Sequence, residues 1–129
     1  MRALLTGMAA ACLAACHPAN SGSAPAPLKV SVHEVLTTPS LVGKAVEVSG
    51  RCLGYSVPTL AKGSPPVTRS DWQLEDKGEA VWVNGPMPEG CTATTPAESA
   101  STISALVAQD TLPILGGGKP EARQYLVRK

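Results

Sequence analysis

Gly43-Lys-Ala-Val-Glu-Val-Ser-Gly-Arg-Cys52 decides how the rest of the chain folds. Val46 and Val48 alternate with Glu47 and Ser49 between two glycines, the period of two that gives a strand one dry and one wet face. The strand is expected over Ala45 to Tyr55. Asp71-Trp-Gln-Leu-Glu75 and Ala80-Val-Trp-Val-Asn84 are the next two strands, joined by the tight turn Asp76-Lys77-Gly78-Glu79, where Gly78 tolerates positive φ. Closing that hairpin at Lys77-Gly78 sets Leu74 opposite Val81, Gln73 opposite Trp82 and Trp72 opposite Val83. Trp72, Leu74, Val81 and Val83 then form the dry face, and Trp82 points outward beside Gln73. Outward aromatic area often marks a contact surface, so Trp82 is a candidate binding residue. The competing expectation is that the early helix, the N-terminal tether or a loop covers it.

Upstream, Leu28-Lys-Val-Ser-Val32 alternates and reads as a short strand or the lead into a turn of helix. Ser31-Val-His-Glu34 fits the capping box, after which Val32, Val35 and Leu36 share one face and the helix ends before Pro39. His33 and Glu34 fall on its solvated side. Ser56 to Ser70, with Pro58, Gly63, Pro65 and Pro66, is a long loop. Thr95 to Thr102 is polar and has room for a helical turn after Pro96. Thr102 to Leu112 has Ala and Leu enough for a helix, but Ile103, Ala105 and Val107 alternate and Pro113 and Gly116-Gly-Gly118 follow, so a strand is expected. Arg123-Gln-Tyr-Leu-Val-Arg128 is the last strand, with Tyr125 and Val127 on one face and Gln124, Leu126 and Arg128 on the other.

The chain has 129 residues, twelve Gly, twelve Pro, two Trp, two Tyr and no Phe. That supports one small β domain whose core relies on Val, Leu and Ile. The formal charge is +1, and losing Arg2 brings it to zero. Nucleic-acid binding needs a basic surface, so a polyanion is not the expected ligand.

Arg2 precedes an apolar run, Ala3 to Leu13, interrupted only by Thr6 and shorter than the roughly 20 residues of a membrane span. The run closes on Leu13-Ala14-Ala15-Cys16, which resembles the lipobox of bacterial lipoproteins. The resemblance implies a signal peptide over residues 1–15, cleavage before Cys16, a thioether lipid on Cys16 and acylation of the new terminus. Two or three acyl chains anchor firmly where one does not. By the sorting pattern of enteric lipoproteins, His17 in place of Asp resembles an outer-membrane address. The alternative is ordinary secretion with Cys16 as a spare thiol. Residues 16–27, with three prolines and no long apolar side chain, read as a disordered tether reaching up to roughly 30 Å. His17 has no second His nearby to share a metal.

Gly43-Lys44-x-Val46-x-Val48-x-Gly50, Trp72-x-Leu74-Glu75-Asp76 and Val81-x-Val83, with a wide loop between the first two strands and a tight hairpin next, resemble the OB-fold over residues 28–129. The chain is similar in particular to small exported OB-fold proteins of bacterial envelopes. The resemblance implies a mainly β, five-stranded Greek-key barrel with a short N-terminal helix, and closure removes the open edges of a meander. It also implies a ligand surface on the outer face of the second and third strands, here Gln73 and Trp82 with Arg69, flanked by Ser56–Ser70 and Pro113–Ala122. Nucleic-acid OB-folds carry several aromatic and basic residues there, and this chain carries one Trp.

Cys12 leaves with the signal and Cys16 takes lipid, so Cys52 and Cys91 remain to pair in an oxidising compartment. The end of the first strand and the end of the third meet at one rim, which brings the two together. Loop closure makes such a bond worth roughly 3.5–4 kcal/mol. There is no Cys-x-x-Cys spacing for redox work, and two cysteines with remote histidines do not make a four-ligand metal site. The expected function is a lipid-anchored, periplasm-facing binding or scaffolding module for a protein or envelope glycan, without cofactor. The alternatives are a passive envelope component and a hydrolase using Asp71, Glu75, Asp76 or Glu79.

Overall fold

The structure is a computed structural model that describes residues 26–55, 59–113 and 118–129. Residues 1–25, which carry the expected signal peptide, Cys16, His17 and nearly all of the expected tether, lie outside the described residues. Six strands, one α-helix and one 3₁₀ turn follow in the order β1 (Leu28–Val30), α1 (Val32–Thr37), the turn Pro39–Leu41, β2 (Ala45–Gly54), β3 (Trp72–Asp76), β4 (Glu79–Asn84), β5 (Ser101–Leu112) and β6 (Glu121–Val127).

Neighbouring strands run β2-β3-β4-β6-β5, and β5 returns to β2, so five strands close a Greek-key barrel of OB-fold type. Pairing is antiparallel except between β4 and β6. The hairpin register is Trp72 to Val83, Gln73 to Trp82 and Leu74 to Val81, as the alternation requires. Lys77 and Gly78 both take positive φ, 54° and 84°; this is the left-handed pair that matches the twist of the flanking strands. Strand β1 adds a sixth element outside the ring, pairing parallel with β2 at Val46 to Val48. Leu28–Val30 is thus strand, and the helix starts immediately after it. The stretch after Pro96 forms turns rather than a helix, because Ala97 N donates to Cys52 O and ties it to β2.

Strand β2 serves two neighbours in turn. Ala45 to Gly50 pair with β5, whereas Arg51, Cys52 and Gly54 pair with β3. The changeover falls at Gly50, where a Cβ would stand 2.7 Å from Glu75 O and 2.9 Å from Leu74 Cγ. Only glycine lets the two backbones approach this closely at the barrel corner.

Inside the ring, Val46, Val48, Trp72, Leu74, Val81, Val83, Ile103, Val107 and Leu126 form one core with Val32 and Val35 of α1. Trp72 is its largest member and is fully buried, with Nε1 donating to Gly85 O at 2.9 Å. The helix closes one end of the barrel. Ser31 caps it through Glu34 N, and Glu34 returns a bond to Ser31 N. At its other end Gln124, 6% exposed, donates from Nε2 to Val35 O and Thr38 O, meeting carbonyls that a helix end leaves without partners. Cys52 and Cys91 form a disulfide that pins the segment after β4 to β2.

Two stability outcomes follow. Gly50→Val should lower unfolding free energy by about 2–4 kcal/mol, because β3 must retreat or the new side chain must strain. Removing the disulfide with Cys52→Ala and Cys91→Ala together should cost about 3–4 kcal/mol. Both are read from urea unfolding at pH 7.

Candidate functional site

Segment 59–68 leads back from β2 to β3 across the outside of the barrel; we call it the strap. Gly63, Pro65 and Pro66 keep it from joining a sheet, so its backbone groups need partners elsewhere. The outward residues of β3, β4 and β6 supply them. Gln73 Oε1 accepts from Leu60 N and Ala61 N, both at 2.8 Å. Lys62 O accepts from Trp82 Nε1 at 3.3 Å and from Arg123 Nη1 at 2.7 Å. Ser64 O accepts from the same Arg123 nitrogen at 2.6 Å. Ala61 sits against Ala80, Trp82 and Tyr125, forming a small second core outside the ring.

Arg123 is held from the other side. Its Nε and Nη2 donate to the two oxygens of Asp110, at 3.0 and 2.6 Å. The two residues stand directly opposite each other in the β5–β6 ladder. A bidentate guanidinium–carboxylate pair fixes the plane of the fork, which aims Nη1 at the strap. Lys62 also reaches Glu121 in an exposed ion pair, which contributes little in open solvent.

Asp71 anchors the strap where it enters β3. The residue is fully buried. Its Oδ2 accepts from Val67 N and Thr68 N, and its Oδ1 from Thr68 Oγ1 and Asn84 Nδ2, at 2.7 to 3.0 Å. Burial alone would push this carboxyl up, but the bonds from Asn84, Val67 and Thr68 together outweigh it and hold the pKa below the usual carboxylate value.

Of the two expectations for Trp82, coverage by a loop is the one met. Trp82 does lie on the outer face beside Gln73, but it is 4% exposed and Gln73 is fully buried. The strap covers both, since its unsatisfied backbone and Ala61 find their partners there. Arg69 is exposed and, among the described residues, forms no hydrogen bond with Gln73 or Trp82. Residues 56–58 and 114–117, in the two flanking loops, lie outside the described residues.

A groove of ≈ 460 Å³ opens beside the strap, bounded by Leu36 of α1, Leu60, Lys62, Glu79, Glu121 and Gln124. Glu79 there accepts His33 Nδ1 at 2.8 Å. The four carboxylates considered for acid–base work are divided. Asp71 is enclosed, Glu75 accepts Gly78 N, Glu79 meets His33, and Asp76 borders a different hollow with Lys29, Glu34 and Glu47. Among the described residues, no group of three or more His, Cys, Asp or Glu is gathered to hold a metal, and no helix is long and apolar enough to cross a membrane.

Sequence reading missed Arg123, Asp110 and Asn84. Counting cross-strand pairs back from a known β5–β6 register would have found the first two, but the wide loop between those strands hides that register.

A depressed carboxyl contributes stability above its unfolded pKa of about 3.9 and loses it as pH falls through the folded value. Asp71→Asn should therefore be less stable than the unsubstituted protein by about 1–3 kcal/mol at pH 7. The difference should shrink as the pH drops below about 4, as followed by urea unfolding across pH 2–7.

Comparison with known proteins finds no matching family model, no similar curated sequence and no similar solved structure.

Proposed function

We propose that this chain is an exported bacterial lipoprotein, held to the envelope membrane by acyl groups on Cys16 and facing the periplasm, with the outer membrane as its address. Its OB-fold-type barrel is a binding or scaffolding module, and a protein is favoured over a glycan as its ligand. The observation that carries the choice is the chemistry of the outer face. Gln73, Trp82 and Arg123 present one acceptor and two donors spaced to take the N–H and C=O groups of a polypeptide main chain. The solvent side of the strap adds exposed Leu60 and Val67, apolar groups that suit a protein contact better than a sugar. The lipobox and tether support the anchor, and the Cys52–Cys91 bond fits an oxidising compartment.

A second reading, a passive envelope component, is favoured by one fact: Trp82 and Gln73 are already engaged by the protein's own strap.

Photo-crosslinking residues placed at Leu60 and Arg69 of the acylated protein, in its own envelope, should capture one protein partner. Cys16→Ser should remove fatty-acid labelling and most of that capture. Lack of any crosslink at both positions, with acylation intact, would favour the passive reading.

A further inference from the structure

We infer that the strap is an internal occupant of a peptide-binding face: residues 60–64 fill in cis a site that a partner peptide of the same bent course, with a small side chain followed two residues on by glycine, takes in trans. This rests on the protein-binding reading and names what the face recognises.

Four observations carry it. First, Gln73, Trp82 and Arg123 grip the strap only through its backbone, at Leu60 N, Ala61 N, Lys62 O and Ser64 O. Main-chain recognition leaves most of the occupant's side chains free, and the places where the face closes on the backbone select the rest; at Gly63 a Cβ would stand 2.9 Å from Arg123 Nη1 and 2.6 Å from Leu112 Cδ2. Second, the single side chain seated in the face is Ala61, 4% exposed among Ala80, Trp82 and Tyr125, so the pocket sets a size limit at that position. Third, the described strap residues supply no rung to the sheet, and the bidentate pair of Arg123 with Asp110 is made within the β5–β6 ladder and uses no strap atom. The face therefore survives departure of the strap, which is tethered at Val67 and Thr68 by Asp71.

Fourth, the cis fit is incomplete. Gln73 is fully buried, and among the described residues its Nε2 has no hydrogen-bond partner. A sealed donor without an acceptor is costly and uncommon in folded proteins. A free peptide, not held at Val67 and Thr68 by Asp71 as the strap is, is able to shift a carbonyl oxygen to that nitrogen and gains a bond that the strap does not make. This gives a trans occupant a differential advantage, without which no displacement occurs.

The test uses a fluorescein-labelled peptide with the strap's own sequence, Thr-Leu-Ala-Lys-Gly-Ser-Pro-Pro, and anisotropy titration against the full, acylated protein in detergent. Ala61→Glu unseats the strap by burying a charge and leaves Gln73, Trp82 and Arg123 in place. It should bind the peptide at least about tenfold more tightly than the unsubstituted protein does, about 1.4 kcal/mol. Adding Gln73→Ala should reverse that gain, and a peptide with Trp in place of Ala should not bind. Should Ala61→Glu fail to fold, the unsubstituted protein with millimolar peptide gives the same readout. Hydrogen exchange at the Leu60 and Ala61 amides should then accelerate as the strap is displaced. No binding to a folded Ala61→Glu protein, or binding indifferent to Gln73→Ala and to Trp in the peptide, overturns the inference. No acceleration at those amides overturns it in the second arm. A crosslinked envelope partner at Leu60 or Arg69 alongside either negative result would leave protein binding standing and sink only the exchange of strap for peptide.

Discussion

The close approach of β2 to β3 at Gly50 is the constraint on which the molecule depends. This five-stranded ring closes through β2, which passes from pairing with β5 to pairing with β3 part-way along its length. The absent side chain lets Glu75 O come within 2.7 Å of where a Cβ would be. That contact aims β3, and with it the alternation that sends Trp72 and Leu74 inward and Gln73 outward. The disulfide from Cys52 lies two residues beyond the corner and holds the following rim.

The ring has two consequences outside itself. Its lower end is closed by α1, whose carbonyls Gln124 receives from the barrel side. Its outer face is closed by the strap, through polar side chains that each serve backbone groups. Arg123 joins β5 to the strap, since its fork takes Asp110 on one side and two strap carbonyls on the other. A buried guanidinium in such a place holds its geometry because each of its three nitrogens has an acceptor. The unmatched Nε2 of Gln73 is the exception on this face.

Much of the architecture was legible before any coordinates, because strand alternation and turn chemistry are local. Val46 and Val48, the Lys77-Gly78 turn, the capping box at Ser31 and the inward set Ile103, Ala105 and Val107 each follow from neighbours a few residues apart. The register of the first hairpin followed from its two-residue turn. The pairing of Cys52 with Cys91 followed from placing two strand ends at one rim. The state of Trp82 was not legible. Alternation says which side of the sheet it leaves by, but only the course of a Gly- and Pro-rich loop says what lies beyond, and that course has no periodicity to read.

The sequence by itself determined the strands, the capped helix and which strand residues face inward, and it holds the lipobox-like stretch Leu13–Cys16 from which an envelope anchor is proposed. These rest on contacts between residues close in the chain or on a short motif. Only the tertiary structure decided that the outer face is occupied. Gln73 meets Ala61, Trp82 meets Lys62, and Arg123 meets Ser64 across 12 to 59 positions. The physical reason is that an irregular segment satisfies its backbone with whatever surface the closed barrel brings beneath it, and that surface exists only once the ring is formed.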